Sequence, residues 1–130
     1  IAGKNPSDEL IKLGSIYDIE LIANPSQEVM QALIQVARVH VFYSSQATGV
    51  KLKLINAMAS SGHIIVNDNM ILGTNLSDQC TLALDVNEFK DRVQEKIKEE
   101  LSNSDFQSRI SFLKDQFSTE KNCQIILDLI

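Results

Sequence analysis

The residues best able to meet a ligand lie between positions 44 and 51, which read Ser44, Ser45, Gln46, Ala47, Thr48, Gly49, Val50 and Lys51. They join an apolar, β-branched run to a helical pattern. Gly49 lets a ligand approach the backbone closely, and free N–H groups where a helix begins favour an anion such as phosphate. Lys51 opposes the helix dipole unless it meets negative charge, and Lys53 points elsewhere. On residue types alone such a turn is more often a plain connection, with Lys51 and Lys53 as solvated lysines.

Other reactive side chains lack partners at useful spacing. Neither His40 nor His63 has a cysteine, carboxylate or second histidine at ligand spacing, so both are expected to be structural and no metal is assigned. Ser44 and Ser45 lie outside a Gly-x-Ser-x-Gly elbow, and no serine, histidine and acid set follows from spacing. Asp68 and Asp78 suit turns better than acid–base catalysis. Gly3, Lys4 and Asn5 complete neither a dinucleotide fingerprint nor a P-loop. Cys80 and Cys123 are isolated and read as small buried hydrophobes. No catalytic residue is assigned.

The elements that must position the 44–51 loop alternate in type. Ile1, Ala2 and Gly3 end a strand. Ser7 caps a short helix expected to stop near Gly14. Residues 19–23 form a strand closed by Asn24 and Pro25, and Ser26 opens a helix with Val29, Met30, Leu33, Ile34 and Ala37 on one face. Residues 39–43 are the next strand, and from Val50 a helix carries Leu54, Ala57 and Met58 inward, with Gly62 suited to its C′ position. Residues 63–66 form a buried strand before an Asn-Asp-Asn turn, and residues 81–84 a weaker one. Phe89, Val93, Ile97 and Leu101 then mark one helix, Phe106, Ile110, Leu113 and Phe117 another, and Ser118 opens a last one.

This order predicts an α/β fold, a Rossmann-like parallel sheet of about five strands with helices on both faces and extra C-terminal helices. Ligands of such sheets bind beyond the carboxyl ends of the strands, at loops 3–6, 24–25, 44–49 and 67–75. Residues 1–130 suit one domain. The 44% hydrophobic and 22% charged residues are globular values that exclude disordered and collagen-like classes. A formal charge of −5 supplies no basic field for nucleic acid or anionic membranes. The apolar runs are far shorter than the ~20 residues that span a bilayer. A reducing, cytoplasmic setting is expected, and the opening on Ile1 suggests a fragment of a longer chain.

Residues 39–68, VHVFYSSQATGVKLKLINAMASSGHIIVND, resemble the donor-binding half of retaining, nucleotide-sugar-dependent glycosyltransferases of the GT-B fold, the large family 4 group. There a strand and small polar loop lead to a glycine, a helix ending in EAMA-x-G and a strand reading PVV. Here the corresponding residues run from Thr48 and Gly49 through Ala57, Met58 and Ala59 to Gly62 and then Ile64, Ile65 and Val66. Ile1, Ala2 and Gly3 resemble the family's strand ending in Ala-Gly, residues 27–37 one of its helices, and the run after Asp85 its closing helices.

The resemblance implies a domain that holds the nucleotide diphosphate of a sugar donor, facing an absent N-terminal domain that binds a saccharide or other acceptor. The expected enzyme is a hexosyltransferase of surface glycan synthesis. It takes the nucleotide-diphosphate sugar as substrate without a further cofactor, and it is cytoplasmic or attached to the inner membrane face through the missing domain. Gly49 and Val50 would offer backbone N–H groups to the donor, with Gly3, Lys4, Asn24, Thr48, Lys51 and Asn56 around it and Asn24 bordering the base. Thr48 and Asn56, eight residues apart, stand where the family carries paired glutamates. Asn56 can accept from a ribose hydroxyl only as a neutral amide. The alternative is a degenerate, non-catalytic domain of the same fold that serves protein contact or scaffolding.

Overall fold

A computed structural model describes residues 1–49, 51–120 and 124 of the chain. The chain forms two compact units, Ile1–Ile34 and Gln35–Ile130. Both contain parallel strands and helices, as α/β alternation predicts. The strands form two small parallel sheets of two and three strands, however, and not one sheet of five.

In the first unit β1 (Ala2–Gly3) pairs in parallel with β2 (Ile22–Ala23). Both strands stop quickly for the same reason: Asn5 and Asn24 take left-handed backbone angles, φ 48° and 52°, which end an extended run. Strand β2 is shorter than the expected 19–23. Asp18 is also left-handed at φ 52°, and the Ile19 N–H donates to the Gly14 carbonyl at 2.8 Å, tying that stretch to the preceding helix.

Helix α1 (Asp8–Ile16) begins as predicted, with Ser7 Oγ accepting from the Leu10 N–H, but it runs through Gly14. Gly14 is buried, and a Cβ there would sit 3.3 Å from the Ile19 carbonyl oxygen. The glycine makes room for the returning chain instead of ending the helix. Helix α2 (Gln27–Val36) follows, with Ser26 Oγ accepting from the Val29 N–H at 3.3 Å.

The second unit is built on β3 (Val39–Phe42), β4 (His63–Val66) and β5 (Thr81–Leu82), all parallel and in that order. Val39 aligns with His63 and Phe42 with Val66, and Val66 in turn aligns with Leu82. Strand β4 is central and wholly buried, which explains its apolar run Ile64, Ile65 and Val66. Helix α3 (Leu52–Met58) sets Leu54, Ala57 and Met58 into the core with no exposed surface, beside Ile64, Ile65, Val66 and Met70. Each buried Leu, Ile or Met side chain of this set contributes ~1.5–3 kcal/mol through removal of apolar surface from water.

Gly62 is needed for a different reason from the predicted left-handed cap. Helix α3 ends at Met58 with Ala59 as its C-cap, and Gly62 lacks a positive φ. A Cβ on Gly62 would collide with the Ala37 carbonyl oxygen and lie 2.8 Å from two atoms of the His40 ring. The expected Asn-Asp-Asn turn is also a short helix, α4 (Asp68–Ile71), with Asn67 at its N-cap.

Helices α5 (Val86–Lys96) and α6 (Asn103–Phe117) complete the unit, α5 contacting β4 and α6 contacting α3. Asp85 accepts from the Asn87 and Glu88 N–H groups, and Ser102 from that of Asp105. Leu101 falls in the connection between them, beyond the helix its spacing suggested. The helix expected from Ser118 lies mostly outside the described residues. Among the described residues no helix is long and apolar enough to cross a membrane.

Candidate functional site

The carboxyl ends of β3 and β4 are joined by side-chain amides. Ser44 N–H donates to Asn67 Oδ1 at 3.0 Å, and Asn67 Nδ2 donates back to the Ser44 carbonyl at 2.8 Å. Asn69 Nδ2 reaches the same carbonyl at 3.1 Å. Asn67 is buried, so this reciprocal pair acts as one more rung after Phe42 and Val66. It also explains why Asn67 does not cap α4 with its side chain.

The loop then closes on itself. Ser44 Oγ donates to the Gln46 carbonyl at 2.8 Å and accepts from the Gln46 N–H at 3.3 Å, the hydrogen bonding of a serine turn. Its proton is directed at a carbonyl and not at a base, so the arrangement activates no nucleophile. Lys51 Nζ donates to the Thr48 carbonyl at 2.7 Å and the Gln46 carbonyl at 3.1 Å. Gly49 has φ 75°, the left-handed region that a residue with a Cβ rarely enters. Lys53, the other lysine of this stretch, lies with Nζ 5.8 Å from the centre of the Phe42 ring.

The second unit therefore brings Thr48, Gly49 and Lys51 together. Thr48 and Gly49 are exposed, and so is Asn56, on the opposite side of α3 from the buried Leu54, Ala57 and Met58. Val50 lies outside the described residues. The first unit brings Gly3, Lys4 and Asn24 together at the carboxyl ends of β1 and β2. There the Asn24 N–H donates to the Gly3 carbonyl at 2.8 Å, and Asn24 Oδ1 accepts from the Asn5 N–H at 2.9 Å. That amide oxygen is thus already engaged in holding the two loops. Lys4 is exposed and makes no ion pair among the described residues.

Two buried polar groups behind α3 are not evident from spacing. His40 Nε2 lies 2.8 Å from Ser60 Oγ, which in turn donates to the Ala57 carbonyl at 2.7 Å. Burial, helped by the nearby Arg109 charge, holds the His40 pKa below its usual value of 6.5. Arg109, only 5% exposed, donates from Nη1 to the Gly62 carbonyl at 2.8 Å and, at 3.5 Å, to that of Ser60. The sequence holds one sign of this: Arg109 shares a helix face with Phe106 and Leu113, an unusual place for a solvated cation.

A cavity of about 380 Å³ opens at the amino ends of β4 and β5, lined by His63, Cys80, Lys96, Ser102 and Arg109 among others. It is at the other end of this sheet from the 44–51 loop. Burial pushes the Cys80 thiol up to about 11, so it is protonated at neutral pH and a poor nucleophile. Lys96 is paired with Glu95 and Glu99. His63 Nε2 lies 3.2 Å from the Glu99 carbonyl oxygen. Among the described residues no three His, Cys, Asp or Glu side chains gather to hold a metal ion.

Compared with known protein families, curated proteins and solved structures, the chain matches none of them.

Proposed function

We propose that this chain binds the nucleotide-diphosphate sugar of a GT-B-type, retaining glycosyltransferase through the 44–51 loop. The observation that carries this reading is the exposed, left-handed Gly49 in the connection from the carboxyl end of β3 to α3, with Thr48 beside it and Asn56 exposed on the helix. A parallel α/β sheet offers its ligand sites on that side. The resemblance over residues 39–68 supplies the donor class, and the neutral Thr48 and Asn56 supply hydrogen bonds without the strength of carboxylates. The acceptor, a saccharide or related hydroxyl compound, binds to a second domain. Transfer of the hexosyl group then needs both halves, because the two reactants must be held in line. These 130 residues alone bind donor weakly and do not turn over.

The test is an amide chemical-shift titration with UDP, GDP and their sugar conjugates. Saturable shifts at Gly49, Lys51 and Asn56 that select one base support donor binding. Absence of shifts at millimolar ligand favours the second reading, a non-catalytic domain serving protein contact. The observation behind that alternative is the loss of acidic side chains at both Thr48 and Asn56.

A further inference from the structure

We propose that the cavity at the amino ends of β4 and β5 binds a small zwitterion of the α-amino-acid class, with Arg109 holding its carboxylate and Asp78 its ammonium. This site is separate from the 44–51 loop and does not rest on the function proposed above. Arg109 is the residue that points to a ligand. It is only 5% exposed, and its hydrogen bonds, to the Gly62 and Ser60 carbonyls, all leave from Nη1. A guanidinium carries five N–H donors, so the three on Nε and Nη2 are left over. Neither nitrogen has a partner, and Arg109 makes no ion pair, among the described residues. Every side-chain nitrogen or oxygen shut off from solvent there is hydrogen-bonded, so Nε and Nη2 open into the cavity of about 380 Å³ that Arg109 lines. A buried cation without a counter-charge is costly, and burial depresses the Arg109 pKa, with Cys80 and Asp105 offsetting only part of the effect. The free Nε and Nη2 edge is a fork that takes a carboxylate through two parallel hydrogen bonds.

The other charges of the cavity select the class of ligand. Asp78, Glu99, Glu100 and Asp105 line it against Lys96 and Arg109, an excess of negative charge that disfavours a phosphate. Three of these acids are engaged: Glu99 with Lys96, Glu100 with Arg38, and Asp105 with the Ser102 hydroxyl at 2.7 Å. Asp78 has the Ser77 hydroxyl at 3.4 Å and no cation among the described residues. The cavity thus holds one buried cation and one carboxylate that both lack a counter-charge. A ligand carrying a carboxylate and an ammonium answers both. A simple carboxylate leaves Asp78 unmatched, and a simple amine leaves Arg109 unmatched.

The experiment titrates the ¹⁵N-labelled chain with the standard amino acids, with inorganic phosphate, and with analogues lacking the amino or the carboxyl group, as propionate and ethylamine stand to alanine. Saturable shifts at the Cys80, Thr81 and Ser102 amides are expected with at least one amino acid, and about tenfold weaker binding of both its analogues. Arg109→Lys keeps the charge and loses the fork, and is expected to weaken that amino acid about tenfold. Asp78→Asn, at an exposed position, is expected to weaken the amino acid and not its analogue without the amino group. The β4 amides report an intact fold in each variant, and where Arg109→Lys disturbs them, Asp78→Asn alone decides. No shift at the three cavity amides at millimolar amino acid overturns the proposal. Equal binding of the amino acid and its analogue without the amino group, or tighter binding of phosphate, also overturns it and leaves Arg109 in a plain anion site.

Discussion

His40 Nε2 lies 2.8 Å from Ser60 Oγ, and the hydroxyl proton of Ser60 is given to the Ala57 carbonyl. A hydroxyl has one proton, so the hydrogen between His40 and Ser60 belongs to the imidazole. His40 is therefore the Nε2–H tautomer, with Nδ1 bare. This bond anchors the carboxyl end of α3 to the middle of β3, behind the helix that carries Asn56.

The buried imidazole makes stability depend on pH. Its folded pKa is held below 6.5 by burial and secondarily by Arg109. Above 6.5 both folded and unfolded chains hold His40 neutral, and its contribution is complete. As pH falls through 6.5 toward the lower folded value, only the unfolded chain gains the proton, and stability is lost. Urea unfolding at pH 7.5, 6.5 and 5.5 is expected to show this fall, with a shallower one in His40→Gln. Equal slopes in the two proteins would remove His40 as the cause.

Arg109 stabilises the turn into β4 by donating to the Gly62 carbonyl at 2.8 Å. Arg109→Leu leaves that carbonyl without its donor. The expected loss is about 1–3 kcal/mol in urea unfolding. A change within about 0.5 kcal/mol, the range of ordinary surface substitutions, would show that water replaces the guanidinium.

Asn67 is expected to matter through its amide and not its size. Asn67→Ala removes both halves of the reciprocal pair with Ser44 and should cost about 1–3 kcal/mol. Hydrogen exchange at the Ser44 amide should accelerate with it. Asn67→Asp retains the acceptor at Ser44 N–H and loses the donor, so Ser44 exchange stays slow while stability still falls. Rapid Ser44 exchange in both variants would contradict this division.

Asn56 provides the sharpest local test of the donor reading. One neutral hydrogen bond from its amide oxygen to a ribose hydroxyl is worth about 0.5–1.5 kcal/mol. Asn56→Ala is expected to weaken UDP binding by that amount in the chemical-shift titration while leaving thermal unfolding unchanged, because the side chain is exposed. Unchanged affinity would take Asn56 out of the site.

Much of the architecture was legible in the order of residues because the relevant forces are local or periodic. Capping at Ser7 and Ser26 depends on a side chain reaching an N–H three residues on, and the apolar run at 64–66 required burial on both faces, whereas the caps at Asp85 and Ser102 went unread. The inward face of α3 followed from the spacing of Leu54, Ala57 and Met58. These features need no knowledge of distant residues.

What only tertiary structure decided involves partners far apart in the chain. The five short parallel strands pair as two sheets, β1 with β2 and β3 with β4 and β5, and β1 and β2 are cut short near left-handed Asn5 and Asn24; apolar patterning registers neither. Gly14 and Gly62 looked like helix stops, yet each leaves space for a chain segment or ring that folding brings against it. Asn67 looked like a turn residue until Ser44, 23 positions earlier, supplied the complementary peptide. Lys51 looked like a free cation at a helix start, and the path of the 44–51 loop turned it onto two backbone carbonyls. Propensity and periodicity act within a few residues, whereas close approach and polar satisfaction are settled where the chain meets itself again.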